Sequence, residues 1–355
     1  MADQVVRAVL FPGNGAVTTT EKVVGDPKAG QVLIALRAAG VCGSDLHFMN
    51  MSPDEQRNPS LGKGLGRDPG VTPGHEIAGV VEAVGPGVSH LQVGSRIVVQ
   101  HYSGCGQCRH CRMGWDCLCE DKVVYTLGRD GGFQDKLLAE AKDCVLLPDG
   151  VTYITAAFIA CGAGTSFQAL KRGDLKAGAT LAVVGLGPVG LSALLWGKAL
   201  GARTVGVDPI QERREFAKNL GADMVLNSAD ADPAGQIGEL SGYPGADVVI
   251  ETAGNSQGRR LAVSLGRTWG CVVFVSFGPG CELDPGPEIV QKQLTIRGSW
   301  MFSVSTMMDA LTVARSRAVG LDKVVTHTCG IEGAPQAIRA FEAGGAGKTV
   351  IVWDD

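Results

Sequence analysis

The chain has 355 residues, enough for two domains with buried cores. Hydrophobic residues make up 45% and charged residues 19%, which excludes a disordered chain, and 51 glycines without a Gly-X-Y period exclude collagen and signal many tight turns. Lys and Arg total 32 against 36 Asp and Glu, a formal charge of −4, so neither nucleic acid nor a membrane is an expected partner. Met1-Ala2-Asp3-Gln4 starts no leader pattern, and the C-terminus carries no lipidation signal. The longest apolar candidate, 180–200, is cut by Gly185, Gly187, Gly190, Gly197 and Pro188, so no membrane span is predicted.

The first 155 residues read as short strands broken by Gly and Pro, at 32–36, 77–84 and 96–99, with turns such as Gly85-Pro86-Gly87 between them. This texture predicts a β-rich, barrel-like domain. Two segments inside it, Gly40-Val41-Cys42-Gly43-Ser44-Asp45-Leu46-His47 and Gly74-His75-Glu76, each hold one possible metal ligand with polar neighbours. On the residues alone, a core cysteine and a satisfied histidine fit these places equally well. Residues 48–72 read as a long loop beside them. Its Arg57, Lys63 and Arg67 read first as solvated charge, and second as an attraction for a polar or anionic substrate.

Eleven cysteines form an odd, clustered set. Cys105, Cys108, Cys111 and Cys119 follow a C-x2-C-x2-C-x7-C pattern, and Gly104 and Gly106 give their loop freedom to fold back. Four thiolates close a tetrahedron around zinc and leave no open position, so a structural site is predicted. Cys117 offers a competing register. Dense thiols of this kind belong to a reducing compartment, hence a cytoplasmic expectation.

From residue 180 strands alternate with helices: strands at 180–184, 204–207, 224–226, 248–250, 272–275 and 294–296, helices at 189–200, 212–220 and 257–265. The pattern predicts a doubly wound parallel sheet. Gly185-Leu186-Gly187-Pro188-Val189-Gly190 follows the first strand and opens the first helix, the context a dinucleotide pyrophosphate requires. Asp208 ends the second strand and would accept ribose hydroxyls while repelling a 2′-phosphate, which favours NAD. Arg213 and Arg214 stand nearby and soften that exclusion. The last run, 350–352, is a strand expected to rejoin the first domain.

These segments, with Ala160-Cys161-Gly162-Ala163-Gly164-Thr165, resemble the zinc-dependent medium-chain dehydrogenases of the alcohol dehydrogenase superfamily over nearly the whole chain. The resemblance implies an α/β protein with a GroES-like catalytic domain (1–160 and 297–355, structural zinc lobe at 101–120) and a Rossmann NAD-binding domain (161–296). It implies that Cys42, His75 and Cys161 hold a catalytic zinc with one position open, with Glu76 close enough to exchange onto the metal. Asp45 would orient His75. Ser44 would take the substrate proton and pass it through the nicotinamide ribose to His47, and Thr165 would touch the nicotinamide. Zinc would acidify a bound alcohol, and the alkoxide would give hydride to NAD. Polyol-type members carry Glu where this chain has Cys161, so the alcohol- and aldehyde-acting branches are the closer resemblance.

The expected function is therefore an NAD-linked zinc alcohol dehydrogenase with two Zn2+ per chain, acting on a small alcohol or carbonyl as a homodimer or homotetramer. The alternatives are a polyol, sugar or hydroxy-acyl dehydrogenase of the same superfamily, and a non-catalytic NAD- and zinc-binding protein. Phe48, Trp300 and Phe302 are candidates for the substrate pocket, or equally for an interface or the core.

Overall fold

The computed structural model describes residues 3–58 and 66–354. A hairpin of β1 (Gln4–Gly13) and β2 (Ala16–Val24) opens the chain. There follow β3 (Gln31–Gly40), β4 (Glu76–Val84), β5 (Arg96–Val99), β6 (Tyr102–Ser103), β7 (Val123–Val124), β8 (Lys136–Glu140) and β9 (Cys144–Leu146). The parallel half supplies β10 (Thr180–Val184), β11 (Arg203–Val207), β12 (Met224–Leu226), β13 (Ala246–Glu251), β14 (Gly266–Phe274) and β15 (Thr295–Gly298). The chain closes with β16 (Val325–Cys329) and β17 (Lys348–Val352).

The first sheet runs β16-β17-β3-β4-β5-β9, with β8 also paired to β3. Its C-terminal strand β17 lies antiparallel to β3, so the end of the chain does return to the first half. The second sheet runs β12-β11-β10-β13-β14-β15 with every pair parallel. Strand order reverses on either side of β10, which leaves a crevice at the carboxyl ends of β10 and β13. β10 is buried along its whole length. Leu181 and Val183 pack with Leu191, Leu194 and Trp196 of the helix Pro188–Ala199, while Ala182 and Val184 pack with Ala262 and Val263 of Ser256–Leu265. Helices thus cover both faces, the reason these strands are continuous apolar runs. Each fully buried Leu or Val contributes about 1.5–3 kcal/mol.

One helical segment, Tyr153–Arg172, joins the two halves. Thr152 caps it by accepting the Thr155 N–H. It widens into a π-turn at Ile159–Ala163 and continues as Gly164–Arg172. By length and composition it could cross a membrane, but most of it is buried inside the protein, so it serves as a core helix. The 160/161 division expected from the sequence falls inside this helix.

The described part of 48–72 is not the continuous loop that the sequence suggested. The helix Gly43–Asn50 enters the segment and Pro53–Arg57 forms a second helix, with Ser52 and Glu55 capping each other. Arg67 is fully buried, giving hydrogen bonds to the Gln56 side chain and to the carbonyls of Phe11 and Val71. It is neither solvated nor open to an anionic substrate; it ties the segment to β1. Arg57 is exposed and pairs with Asp54. Lys63 lies outside the described residues.

Candidate metal centre and cofactor cleft

The ends of four neighbouring strands meet at one edge of the first sheet. Gly40 at the end of β3 stands opposite Glu76 at the start of β4, so Cys42, two residues on, comes beside His75. β5 pairs with β4 through Val99 and Ile77, which brings Gln100 and His101 to the same edge. β17 pairs with β3 through Val350 and Gly40, which brings Lys348 there. The π-turn of the joining helix adds Cys161. As a result Cys42, His75, Glu76 and Cys161 each offer a ligand atom, and these atoms all lie within 4.8 Å of one another.

Local chemistry holds this group in place. Cys42 is the N-cap of Gly43–Asn50, and its N–H donates to Asp45 Oδ2 at 2.8 Å. The other oxygen of that carboxylate lies 3.4 Å from His75 Nδ1. One buried Asp thus fixes both a thiol-bearing cap and the ring, turning Nε2 toward the sulfurs. Ser44 Oγ sits 3.5 Å from that Nε2. A hydrogen bond from the Cys161 thiol, together with the His75 ring, holds the Cys42 thiol well below its usual range despite burial. Lys348 Nζ donates to Glu76 Oε1 at 2.6 Å and to the Val41 carbonyl at 2.7 Å, all within the interior. Burial pushes the Glu76 carboxyl up to about 8 against the pull of Lys348. Glu76 Oε2 is buried and has no partner among the described residues. It occupies space that a Cβ at Gly40 would fill. Two thiols, an imidazole and an unsatisfied carboxylate oxygen form a donor set that fits Zn2+.

The second cluster is self-contained. The sulfurs of Cys105, Cys108, Cys111 and Cys119 also lie within 4.8 Å of one another, close to the roughly 3.8 Å that tetrahedral zinc–thiolate bonds of about 2.3 Å require. Backbone N–H groups of Cys105, Cys108 and Cys111 point at sulfurs of the same set, at 3.4–3.5 Å. Cys117 is outside it, packed in the core with Val124 and Leu127, so the register ends on Cys119.

In the parallel half each glycine of the 185–190 loop meets a different demand. Gly185 has φ of +96° and a Cβ there would stand 2.7 Å from the Ala253 nitrogen. A Cβ on Gly190 would overlap the Gly185 carbonyl. Gly187 alone faces open space. It caps Pro188–Ala199 with no side-chain acceptor, leaving the first N–H groups free for a phosphate. Asp208 is buried at the end of β11 and accepts the N–H groups of Leu186 (2.8 Å) and Ile210 (2.9 Å). It therefore braces the glycine loop, and each oxygen keeps a lone pair. Arg213 Nη1 lies 3.9 Å from it, and Arg214 donates to the Asp208 and Pro209 carbonyls. Thr165, one turn after Cys161, has a buried hydroxyl with no partner among the described residues. The open side of Gly187 and this orphan hydroxyl fit a dinucleotide running from the loop toward the metal cluster.

The profile of an alcohol dehydrogenase GroES-like domain matches residues 28–149, and that of a zinc-binding dehydrogenase matches residues 188–316. The zinc-type alcohol dehydrogenase-like protein YphC of Escherichia coli K12 is 36% identical over 98% of this chain and 99% of its own. The chain belongs to the zinc-containing alcohol dehydrogenase family. Two crystal structures share the fold of this dehydrogenase closely. A short chain alcohol dehydrogenase of E. coli CFT073 complexed with NADH has a TM-score of 0.85 at 26% identity, covering 98% of this chain and 99% of that one. A zinc-binding dehydrogenase of Sinorhizobium meliloti 1021 bound to NADP has a TM-score of 0.85 at 25% identity, covering 99% and 100%.

The dehydrogenase brings together most of the residues singled out from its sequence. His47 stands exposed, one turn beyond Ser44 on the same helix. Phe48 and Phe302 are buried in the core. Trp300 is half-buried against Tyr102 and Phe277. Sequence reasoning missed Lys348 and His101, because strand pairing across the chain, not any local pattern, delivers them to the site. A surface cavity of about 550 Å³ beside Tyr243, Arg267 and Lys292 lies at the opposite, amino end of the parallel strands. Its cations are committed to Asp247 and to the carbonyls of Ser264 and Gly266.

Proposed function

We propose that this dehydrogenase is an NAD-linked zinc enzyme that interconverts a small alcohol and its aldehyde or ketone. The observation that carries this reading is the convergence of Cys42, His75, Glu76 and Cys161 in the same cleft as the orphan hydroxyl of Thr165. Bound there, zinc would polarise the substrate oxygen and NAD would take up hydride. The chain's own residues do the rest. Cys42, His75 and Cys161 hold the ion, and two thiolates with a neutral imidazole cancel its charge, so a developing negative charge on oxygen is tolerated. Asp45 fixes the His75 ring. Glu76, anchored by Lys348 through one oxygen, keeps the other free beside the ligands.

Ser44 would accept the substrate proton, which would pass by way of the cofactor ribose to His47 at the surface and from there to solvent. Leu186, Gly187, Pro188 and Val189, between Gly185 and Gly190, cradle the pyrophosphate. Asp208 contacts the adenosine ribose and sets the preference for NAD, with Arg213 beside it. Cys105, Cys108, Cys111 and Cys119 hold a second, structural zinc. The division into 1–160 with 297–355, and 161–296, describes the two functional halves.

Eleven unpaired cysteines support a reducing, cytoplasmic setting. The exposed outer strand β15 supports pairing with a second copy in a homodimer or homotetramer. The test is a panel of primary and secondary alcohols with NAD, read as reduced nicotinamide, on protein of measured zinc content. Turnover that vanishes on selective removal of one zinc supports the reading; NAD binding with no turnover of any alcohol or carbonyl overturns it.

A further inference from the structure

Cys42 and His75 stand at the edge of the first sheet, whereas Cys161 stands on the π-turn of the joining helix. What holds that turn therefore decides whether the three groups close on one ion. The turn is held by the helix that opens the phosphate cradle. Trp196 Nε1 donates to the carbonyl of Ala163, the last residue of the π-turn, at 2.9 Å. Ser166 Oγ lies 2.9 Å from the same carbonyl and 2.8 Å from Ser192 Oγ, which lies 2.8 Å from the Val189 carbonyl. Val189, Ser192 and Trp196 follow at i, i+3 and i+7 along Pro188–Ala199, so they share one face, and Val189 belongs to the cradle itself. The Trp196 ring is fully buried and rests on Phe167, with centroids 4.9 Å apart.

Counting protons ranks these contacts. Each hydroxyl has one proton, so the contacts Ser166–Ala163, Ser166–Ser192 and Ser192–Val189 share two protons, and one of them is always unmade. The indole N–H only donates, and its bond to Ala163 stands in every arrangement. Cys161 lies two residues before that carbonyl, and Thr165, with its orphan hydroxyl, two residues after it. One indole from the cofactor helix thus pins the backbone between a metal ligand and the cofactor cleft.

We propose that Trp196 is a positioning residue that couples the two ligands of the site. Dinucleotide phosphates settled on the helix Pro188–Ala199 fix Cys161 for zinc, and zinc held by Cys161 fixes the helix for the phosphates. This rests on the zinc and dinucleotide sites proposed above and goes beyond them in making each tighten the other. Both ligands order the same stretch of backbone, so whichever binds second finds it already ordered. By linkage the two tightening factors are equal.

The test uses ADP-ribose, which fills the cradle but lacks the nicotinamide ring that would cover the metal. Zinc affinity at Cys161 is measured by chelator competition with and without saturating ADP-ribose, and ADP-ribose affinity by calorimetry with and without that zinc. The ion held by Cys105, Cys108, Cys111 and Cys119 is the internal reference. Wild type is expected to show tightening of about fivefold or more in both directions, with the reference ion unmoved. Trp196→Phe, which keeps an aromatic ring and loses the donor, is expected to bring that factor below about twofold. Ser192→Ala, which removes the other bond between the two helices, is expected to lower it by about half. With Co2+ in place of the zinc at Cys161, the thiolate-to-metal absorption band is expected to shift on addition of ADP-ribose in wild type and to stay put in Trp196→Phe. A merely structural role would loosen both ions alike and leave the coupling factor unchanged. Zinc and ADP-ribose that ignore each other in wild type, or full coupling in Trp196→Phe, overturn the inference and leave both sites standing. Should Trp196→Phe fail to fold, Ser192→Ala decides, and undiminished coupling there overturns it. A single zinc per chain, or no binding of ADP-ribose, overturns the inference together with the sites it rests on.

Discussion

The two thiol clusters of this molecule are assembled in opposite ways. The lobe draws Cys105, Cys108, Cys111 and Cys119 from one stretch of chain, and backbone N–H groups of that stretch point at its sulfurs. The other cluster draws on three separate segments and is braced by Asp45 and Lys348, the latter from the last strand. Four thiols complete a tetrahedron by themselves, so the lobe has no chemistry to offer beyond holding its own shape. Two thiols and an imidazole leave a place open, with a carboxylate oxygen waiting beside it. Local assembly yields a closed staple; long-range assembly yields a site whose geometry depends on the whole fold.

The sharpest break of this contrast is Cys42→Ala. Loss of Lewis-acid help worth several kcal/mol should cut turnover by about a thousandfold or more and reduce zinc from two ions to one per chain, with NADH binding retained by fluorescence titration. Unchanged turnover would remove the metal from the reaction. Next comes Asp45→Asn, which keeps the shape but weakens the hold on His75; a fall of about 10–100-fold in zinc affinity or kcat/KM is expected, measured by competition with a chelator.

Asp208→Ala should lower the ratio of NAD to NADP efficiency by about tenfold, since the carboxylate that repels a 2′-phosphate is gone. An unmoved ratio would leave Asp208 only its bracing of Leu186 and Ile210. The smallest effect on turnover is expected from Cys111→Ser. It should lower Tm by roughly 5 °C as the lobe loses its ion, while activity per remaining zinc stays within about twofold. A large loss of activity per zinc would show that the lobe is coupled to the reaction after all.

The same contrast governs what the sequence discloses. The lobe is legible because its spacing is the site. The parallel sheet is legible because apolar runs, glycine turns and helix caps are local signals, and β10 through β15 fall where they point. The glycine loop is legible because it stands directly between β10 and the helix Pro188–Ala199. Cys42, His75 and Cys161 come together only through the family resemblance, because nothing local joins them. Lys348 and His101 reach the site through the pairing of β17 with β3 and of β5 with β4, and carry no motif. Arg67 misleads because a charged residue among glycines and prolines reads as surface, whereas Gln56 and two carbonyls receive it inside. The Pro53–Arg57 helix was within reach, since Ser52-Pro53-Asp54-Glu55 is a capping box with proline at the first helical position.

Anomalous diffraction at the zinc edge tests the central claim most directly. The account predicts two peaks per chain, one among Cys105, Cys108, Cys111 and Cys119 and one bounded by Cys42, His75 and Cys161. A lone peak in the lobe, from protein purified without chelator, would contradict it.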